Sequence, residues 1–460
     1  MLTYETSNGL RTGRYDEALE NSRFLAAKDP RRVRHFRYGT TPEGRPMTAI
    51  LLSHEGSFAP EAIAKSKRPL VVVQNGIHAG EIEGKDASFL ILRDYLFHGK
   101  HRPTLDRVNL LVIPVYSVDG HERFGPFHRI NQDGPTEMGW RATAQNLNLN
   151  RDWTKADAPE TRAQIGLLTR FRPDYFFDDH TTDGADYRYA LTLGVPWGPT
   201  LPPATAAFQR ALYADVAAAC DRAGVLTAPY FGLRDPKDPG KGIDVQDFGP
   251  RYTNGYLSAI GRPSMLVETH MLKPYRIRVE ATRRLLLEGI ARIGHNAAGL
   301  KELNRRADLV PPLGTPMVLN SEPDGREEPF LFKGWKYSGS VSPITGRELP
   351  RWTHVPVDTP SRVAWTHRAS LTVPRPRGYF VPVQWKEVID RLHAHGLPSR
   401  PFSTNRENLA RYGGLDVTRW RLADVKFPTR PFENRFGPTF RAVSERGPLP
   451  EGRYVYVPVA

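Results

Sequence analysis

The chain has 460 residues, a formal net charge of +14 and a single cysteine, Cys220. That length exceeds one ordinary domain and can bury a large core without staples, while one cysteine excludes an intramolecular disulfide and a thiolate metal site, so any metal must be held by His and carboxylate. Lys and Arg are scattered, with runs no denser than Arg31-Arg32-Val33-Arg34, so the charge reads as a solvated basic surface and not a nucleic-acid groove, and no apolar stretch reaches the ~18 residues of a membrane span.

The first residues, Met1-Leu2-Thr3-Tyr4-Glu5-Thr6, lack a charged start followed by an apolar core. No signal peptide is therefore expected in this chain, which fits a cytoplasmic protein or an exported one whose signal has been removed. Tyr15 to Ala27 reads as an amphipathic helix. Arg34 to Tyr38 and Met47 to Leu52 read as strands around the turn Pro42-Glu43-Gly44-Arg45. Pro69 to Val73 is a buried strand, and Glu81 to Phe97 a helix with an apolar face at Ala87, Leu90, Ile91 and Tyr95. Val108 to Val115 is another buried strand. Pro159 to Phe171 is helical, with Pro where a helix start tolerates it. Tyr175 to Asp179 and Ser264 to Glu268 read as strands, and Ala204 to Ala223 and Tyr275 to Asn304 as long helices. Cys220 falls on the first of these as a small apolar residue.

Apolar strands alternating with helices predict an α/β/α sandwich around a mostly parallel sheet covered on both faces. The pattern changes near Val310-Pro311-Pro312-Leu313-Gly314, a plausible linker. Beyond it, short strand-like runs such as Phe330 to Phe332 and Arg362 to Trp365 alternate with Pro and Gly turns, interrupted by one helix, Trp385 to His395. The expectation is two domains: a catalytic one at 1–308 and a smaller β-rich one at 309–460.

Chemistry gathers at strand ends, where open parallel sheets place functional groups. After the strand at Pro69 and the turn Gln74-Asn75-Gly76-Ile77 comes His78-Ala79-Gly80-Glu81. His and Glu three positions apart on an opening helix can reach one ion. His180, ending the run Tyr175-Phe176-Phe177-Asp178-Asp179, is a third ligand. Two His and one Glu leave zinc a fourth position for water, the layout of a hydrolytic site. Glu268, at the end of another buried strand, is placed where a carboxylate is paired or catalytic. Its expected role is general base, taking the water's proton and handing it to the leaving amine. Between these elements lie Met138-Gly139-Trp140-Arg141 and Asn148-Leu149-Asn150-Arg151. Arg151 can fork onto a carboxylate beside an Asn150 donor. Arg141 is a candidate donor to a developing oxyanion, worth roughly ten- to a thousandfold in rate at comparable sites.

These residues resemble the zinc carboxypeptidase family of the carboxypeptidase A type. That family has a His-x-x-Glu pair, an upstream Arg for the oxyanion, an Asn-Arg pair for the terminal carboxylate, a later His ligand and a Glu base at a late strand end. Here the ordered set is His78 with Glu81, Arg141, Asn150 with Arg151, His180 and Glu268. Ser117-Val118-Asp119-Gly120 also looks like the family's Asn-Pro-Asp-Gly turn. The resemblance covers roughly residues 1 to 308. It implies one zinc ion, a peptide substrate with a free C-terminal carboxylate, and a lid tyrosine. Tyr252 and Tyr256 are candidates for the last, and Tyr256 is carried forward as substrate-binding.

The chain departs from the family in that His-Ala-Gly-Glu carries no Arg between the ligands. Asn148 stands where an Asp often orients the first His, so it accepts the imidazole N–H without adding charge. Thr181-Thr182-Asp183-Gly184 replaces the usual run after the third ligand, which predicts an altered cleft. The early first ligand implies that no pro-segment precedes the domain. His270 reads as a packed or solvated residue, His121 and His128 as surface groups, and one of Asp178 and Asp179 as a partner behind a ligand. Pro239-Gly240-Lys241-Gly242 reads as a loop. The second domain is expected to cover one rim of the cleft and restrict substrates to short peptides. Two other readings remain open at this stage: a zinc amidohydrolase acting on N-acyl amino acids or cell-wall peptides, and a zinc-bearing binding protein without activity.

Overall fold

A computed structural model describes residues 1–404, 415–432 and 435–459. The principal elements of the first 308 residues run in this order. Helix α1 (Tyr15–Lys28) precedes strands β1 (Val33–Thr40), β2 (Pro46–Leu52) and β3 (Leu70–Asn75). Then come α2 (Glu83–His98), β4 (Asn109–Ile113), α3 (Pro159–Phe171), β5 (Tyr175–Thr182), β6 (Leu191–Gly194) and α4 (Pro203–Arg222). They are followed by β7 (Thr227–Pro229), β8 (Phe231–Leu233), β9 (Ile243–Val245), α5 (Thr253–Ala259), β10 (Ser264–His270), α6 (Tyr275–His295) and α7 (Ala297–Ala307).

Eight strands form one sheet in the order β1-β2-β4-β3-β5-β10-β6-β7. β4, β3, β5 and β10 pair in parallel, as do β6 and β7. β1 with β2, β2 with β4 and β10 with β6 pair antiparallel. The sheet is therefore mixed, with a parallel centre. Strand alternation assigns its two faces. Tyr175 accepts a hydrogen bond from Gln209 of α4 at 2.9 Å, and Phe177 packs on Gly289 of α6. On the opposite face, Gln74 accepts one from Gln164 of α3 at 2.7 Å. Helices thus cover both faces, the α/β/α sandwich that the periodicity predicts. Ile50, Leu51, Leu52, Val71, Val72 and Leu111 are fully buried, each worth about 1.5–3 kcal/mol of burial.

Three expectations need correction. The helix after β3 begins at Glu83, not Glu81, because residues 78–82 form a turn closed by Glu81 N–H donating to His78 O at 2.9 Å. The segment Tyr275 to Asn304 is two helices broken at Asn296, whose side chain bonds back to Arg292 O at 2.9 Å. β8 and β9, unforeseen because three residues carry no measurable alternation, leave the main sheet altogether.

The C-terminal part contains β11 (Pro316–Pro323), β12 (Glu328–Val341), β13 (Glu348–Ala364), β14 (His367–Pro374), β15 (Gly378–Pro382), α8 (Lys386–Ala394), β16 (Arg400–Thr404), β17 (Asp416–Lys426), β18 (Thr439–Pro448) and β19 (Gly452–Pro458). It is β-rich with one helix among the described residues, as expected. Its largest sheet, β12-β13-β9-β8, borrows two strands from the preceding part, with Val363 in register with Ile243. A boundary at 308/309 therefore does not separate the two parts cleanly. Among the described residues, no helix is long and apolar enough to cross a membrane.

One buried carboxyl at the start of α3 has a measurable consequence. Glu160 is 1 % exposed, and its Oε2 has no hydrogen-bond partner among the described residues. Burial, reinforced by Asp119 and Asp152, pushes its carboxyl up to about 7. The folded chain holds this proton more tightly than the unfolded one, where the group titrates at 4.5. The stabilisation is complete below pH 4.5 and is lost as pH rises through 7, amounting to roughly 3 kcal/mol. Glu160→Gln should remove that slope. Urea unfolding at pH 5 and pH 8 would show the variant gaining on wild type by about that amount, and parallel curves would contradict the assignment.

Candidate metal centre and active site

β3, β5 and β10 are neighbours, and their carboxyl ends open on one cleft. β3 ends in a turn because Gly76 adopts φ +65°, and a Cβ there would meet Ile82 Cδ1 at 2.9 Å. The turn brings His78 and Glu81 over the sheet. β5 carries His180, one strand over and on the face shared with Asp178. Glu268 of β10 is in register with His180.

His78, Glu81 and His180 are buried, and their donor atoms lie within 4.8 Å of one another. His78 Nδ1 is 3.1 Å from Glu81 Oε1, and His180 Nδ1 is 2.9 Å from Glu81 Oε2. The two outer imidazole nitrogens are committed elsewhere. His78 Nε2 is 3.0 Å from Asn148 Oδ1, and His180 Nε2 is 3.0 Å from Asp178 Oδ2. Each acceptor selects the tautomer with a proton on Nε2, leaving Nδ1 as a lone-pair donor toward the cluster. Asp178 is itself oriented by Gln74 Nε2, which donates to Oδ1 at 2.8 Å. Two imidazoles and one carboxylate, converging and backed in this way, fit a zinc ion with a position left for water.

The electrostatics favour that use at His78 and Glu81, whereas at His180 the downward push of burial is outweighed by Asp178 and Glu81, which hold the imidazole well above its ordinary value, so an ion must displace its Nδ1 proton. Burial lowers the His78 imidazole to about 4, so it stays neutral and ligand-ready. Glu81 resists the upward push of burial because Arg129 and His78 hold its carboxylate well below the usual range. Burial pushes Glu268 up to about 8, with His180 pulling it back. Its Oε2 has no hydrogen-bond partner among the described residues. A dication held by the neighbouring ligands would pull this carboxyl back down, leaving a carboxylate able to take a proton from water in the cleft.

The cleft has a volume of about 520 Å³ and gathers His78, Glu81, Arg141, Asn150, Arg151, His180 and Glu268 in its lining. Arg141 Nη1 lies 3.2 Å from His78 Nδ1 and 3.4 Å from Glu81 Oε1, so its guanidinium sits at the cluster. Asn150 Oδ1 accepts from Thr253 N at 3.0 Å and Thr253 Oγ1 at 3.1 Å, which presents the amide NH2 as the side chain's donor. Arg151 donates to Asn150 O at 2.8 Å, and its guanidinium stacks 4.3 Å above the Tyr252 ring.

Tyr256 is not where the sequence pattern puts it. Its hydroxyl meets His395 Nδ1 at 3.0 Å and its ring packs on Trp153, 5.1 Å between centroids, so it belongs to the seam with α8. Tyr252 lines the cleft in its place. His121 is fully buried against Glu122, not on the surface, while His128 lines the cleft beside Trp140. Asp119 is buried and takes Thr41 Oγ1 at 2.8 Å and Arg45 at 2.7 Å, tying down the β1–β2 turn.

Arg129 carries no signal in the sequence. It pairs with Glu81 Oε1 at 2.5 Å and donates to Thr181 O at 3.1 Å. Its stem lies over Gly80, where a Cβ would approach Arg129 Cδ to 2.7 Å. The glycine standing between the two ligands thus admits an arginine from a distant loop, a relation that no local spacing announces.

Residues 20–182 match the family model described as zinc carboxypeptidase. Carboxypeptidase 2 of Trichophyton tonsurans is 24 % identical over 423 residues, covering 83 % of this chain and 68 % of that protein. Among solved structures, carboxypeptidase A from Helicoverpa armigera aligns with a TM-score of 0.44 at 18 % identity, over 62 % of this chain and 73 % of the other. The metallo-carboxypeptidase from Burkholderia cenocepacia aligns with a TM-score of 0.43 at 16 % identity, over 60 % and 68 %. The fold and site define a metallohydrolase of α/β/α architecture. Over residues 20–182 the chain is similar to the zinc carboxypeptidase family, and this likeness together with the carboxypeptidase relatives supports a metallocarboxypeptidase.

Proposed function

We propose that the protein removes C-terminal residues from peptides with one zinc ion held by His78, Glu81 and His180. The observation that carries this reading is a single cleft with the ligand cluster and Glu268 together and Asn150 and Arg151 in the same lining. When bound, zinc supplies Lewis acidity, polarising a carbonyl and lowering the pKa of water toward ~7.

The chain's own groups do the rest. Asn150 and Arg151 take the terminal carboxylate by charge-assisted hydrogen bonds, with Tyr252 bracing the guanidinium. That contact sets which peptide bond lies over the ligand cluster. Glu268 accepts a proton from the attacking water and returns it to the amine that leaves. Arg141 donates to the oxygen that gains charge as the carbonyl becomes tetrahedral. We assign this chemistry to residues 1–308 and a bordering role to 309–460, with residues 231–245 joining the latter's sheet.

The clamp is tested with paired substrates. Wild type should cleave a free-acid peptide at least about a hundredfold better than its C-terminal amide. Arg151→Ala should raise KM for the acid by roughly ten- to a hundredfold and erase most of that discrimination. Equal cleavage of acid and amide by wild type would overturn the clamp.

A further inference from the structure

A second cavity of about 420 Å³ adjoins the catalytic cleft and shares Thr182, Asp183 and Tyr230 with it. Five of its fifteen lining residues are aromatic. Tyr187 and Tyr230 come from the α/β part, Phe231 from β8, and Tyr337 and Trp352 from the β12–β13 hairpin. Of its charged lining residues, Lys237 pairs with Glu348 at 2.6 Å, with Tyr337 Oη donating to Lys237 O at 2.8 Å, and Asp183 is exposed at the edge shared with the catalytic cleft. The paired Lys237 and Glu348 therefore do not call for an ionic ligand.

The hairpin wall is held in place. Phe332, 3 % exposed, packs edge-on against Tyr187, Tyr189 and Phe231, with centroids 6.4, 5.9 and 5.7 Å away. Arg188 N donates to Lys333 O at 3.0 Å, and Lys333 N to Tyr189 Oη at 2.8 Å. The cavity is thus preformed, and its occupant need not bear the cost of ordering the wall.

We propose that this pocket is a substrate subsite for a bulky apolar side chain on the amino-terminal side of the scissile bond. The inference rests on the carboxypeptidase reading above. Direction follows from the anchor. With the terminal carboxylate at Asn150 and Arg151, the rest of the peptide passes the ligand cluster toward Thr182 and Asp183, two and three positions after His180, which with Tyr230 form the shared edge. An apolar, aromatic-lined recess continuous with the substrate path takes an apolar group. The C-terminal part thereby contributes substrate recognition, through residues outside the segment that matches the family model.

The test uses N-blocked peptides with one constant C-terminal residue and either Phe or Gly in the positions before it. Wild type should favour Phe in kcat/KM by roughly ten- to a hundredfold, mostly through KM. Trp352→Ala should lose most of that preference while cleaving the Gly peptide at the wild-type rate, which also shows that the catalytic part is intact. Equal rates for Phe and Gly in wild type would overturn the subsite and leave the peptidase reading standing. In a second pair, with Gly in those positions and either Phe or Ala at the C-terminus, a Phe preference that Trp352→Ala weakens would overturn its placement. If neither peptide is cleaved, the peptidase reading fails. Calorimetric binding of the Phe peptide to the zinc-loaded protein then decides the pocket: binding that Trp352→Ala abolishes upholds it, and no binding overturns it.

Discussion

Replacing Glu268 by Gln should lower kcat roughly a thousandfold or more while zinc stays bound. Glu268 is in register with His180 but is not one of the converging donors, so the substitution removes a proton acceptor and no ligand. Gln keeps the shape of the side chain. It also relieves a buried carboxyl whose Oε2 has no partner among the described residues and which burial drives up to about 8. Stability should therefore hold or rise slightly. KM should change little, since Asn150 and Arg151 still bind the carboxylate. Metal analysis and steady-state kinetics on one preparation check both halves, and a variant turning over at the wild-type rate would remove Glu268 as the base.

His78→Ala should give the complementary result: both zinc and activity lost, the latter by roughly the same thousandfold or more. Two donors do not make a zinc site. Because burial keeps His78 neutral, its removal leaves no unpaired charge, only an unfilled space and an Asn148 oxygen without its imidazole partner. The fold should lose no more than about 1–3 kcal/mol. Dialysis against zinc followed by metal analysis separates this variant from Glu268→Gln: one protein empty and inactive, the other loaded and inactive. Stoichiometric zinc in His78→Ala would mean that the ion sits elsewhere.

Much of this arrangement is legible in the amino-acid sequence because its determinants are local. Val71, Val72 and Val73 announce a buried strand, and polar residues at the end of such a strand have to be explained by chemistry. That logic reaches His78, Glu81, His180 and Glu268, which the fold brings to three adjacent strand ends. It fails where partners are remote in sequence. Tyr256 looks equivalent to Tyr252 in a loop without periodicity, and only the packing of α8, some 140 positions later, takes it away from the cleft. Arg129 reaches Glu81 from a loop whose residues carry no repeating pattern, through a gap left by Gly80. β8 and β9 are too short to alternate visibly, and β13, which pairs with β9, lies more than a hundred residues on. Apolar periodicity reports burial, not which segments meet, so the union of residues 231–245 with the C-terminal sheet had no trace in it.

The central claim is zinc-dependent removal of residues from a free C-terminus. The most direct measurement is mass spectrometry of a defined peptide mixture incubated with the purified protein, with and without a zinc chelator. The account predicts ladders shortened one residue at a time from the C-terminus, absent when zinc is withdrawn and restored when it is returned. Peptides with intact C-termini, or cleavage indifferent to the chelator, would contradict it.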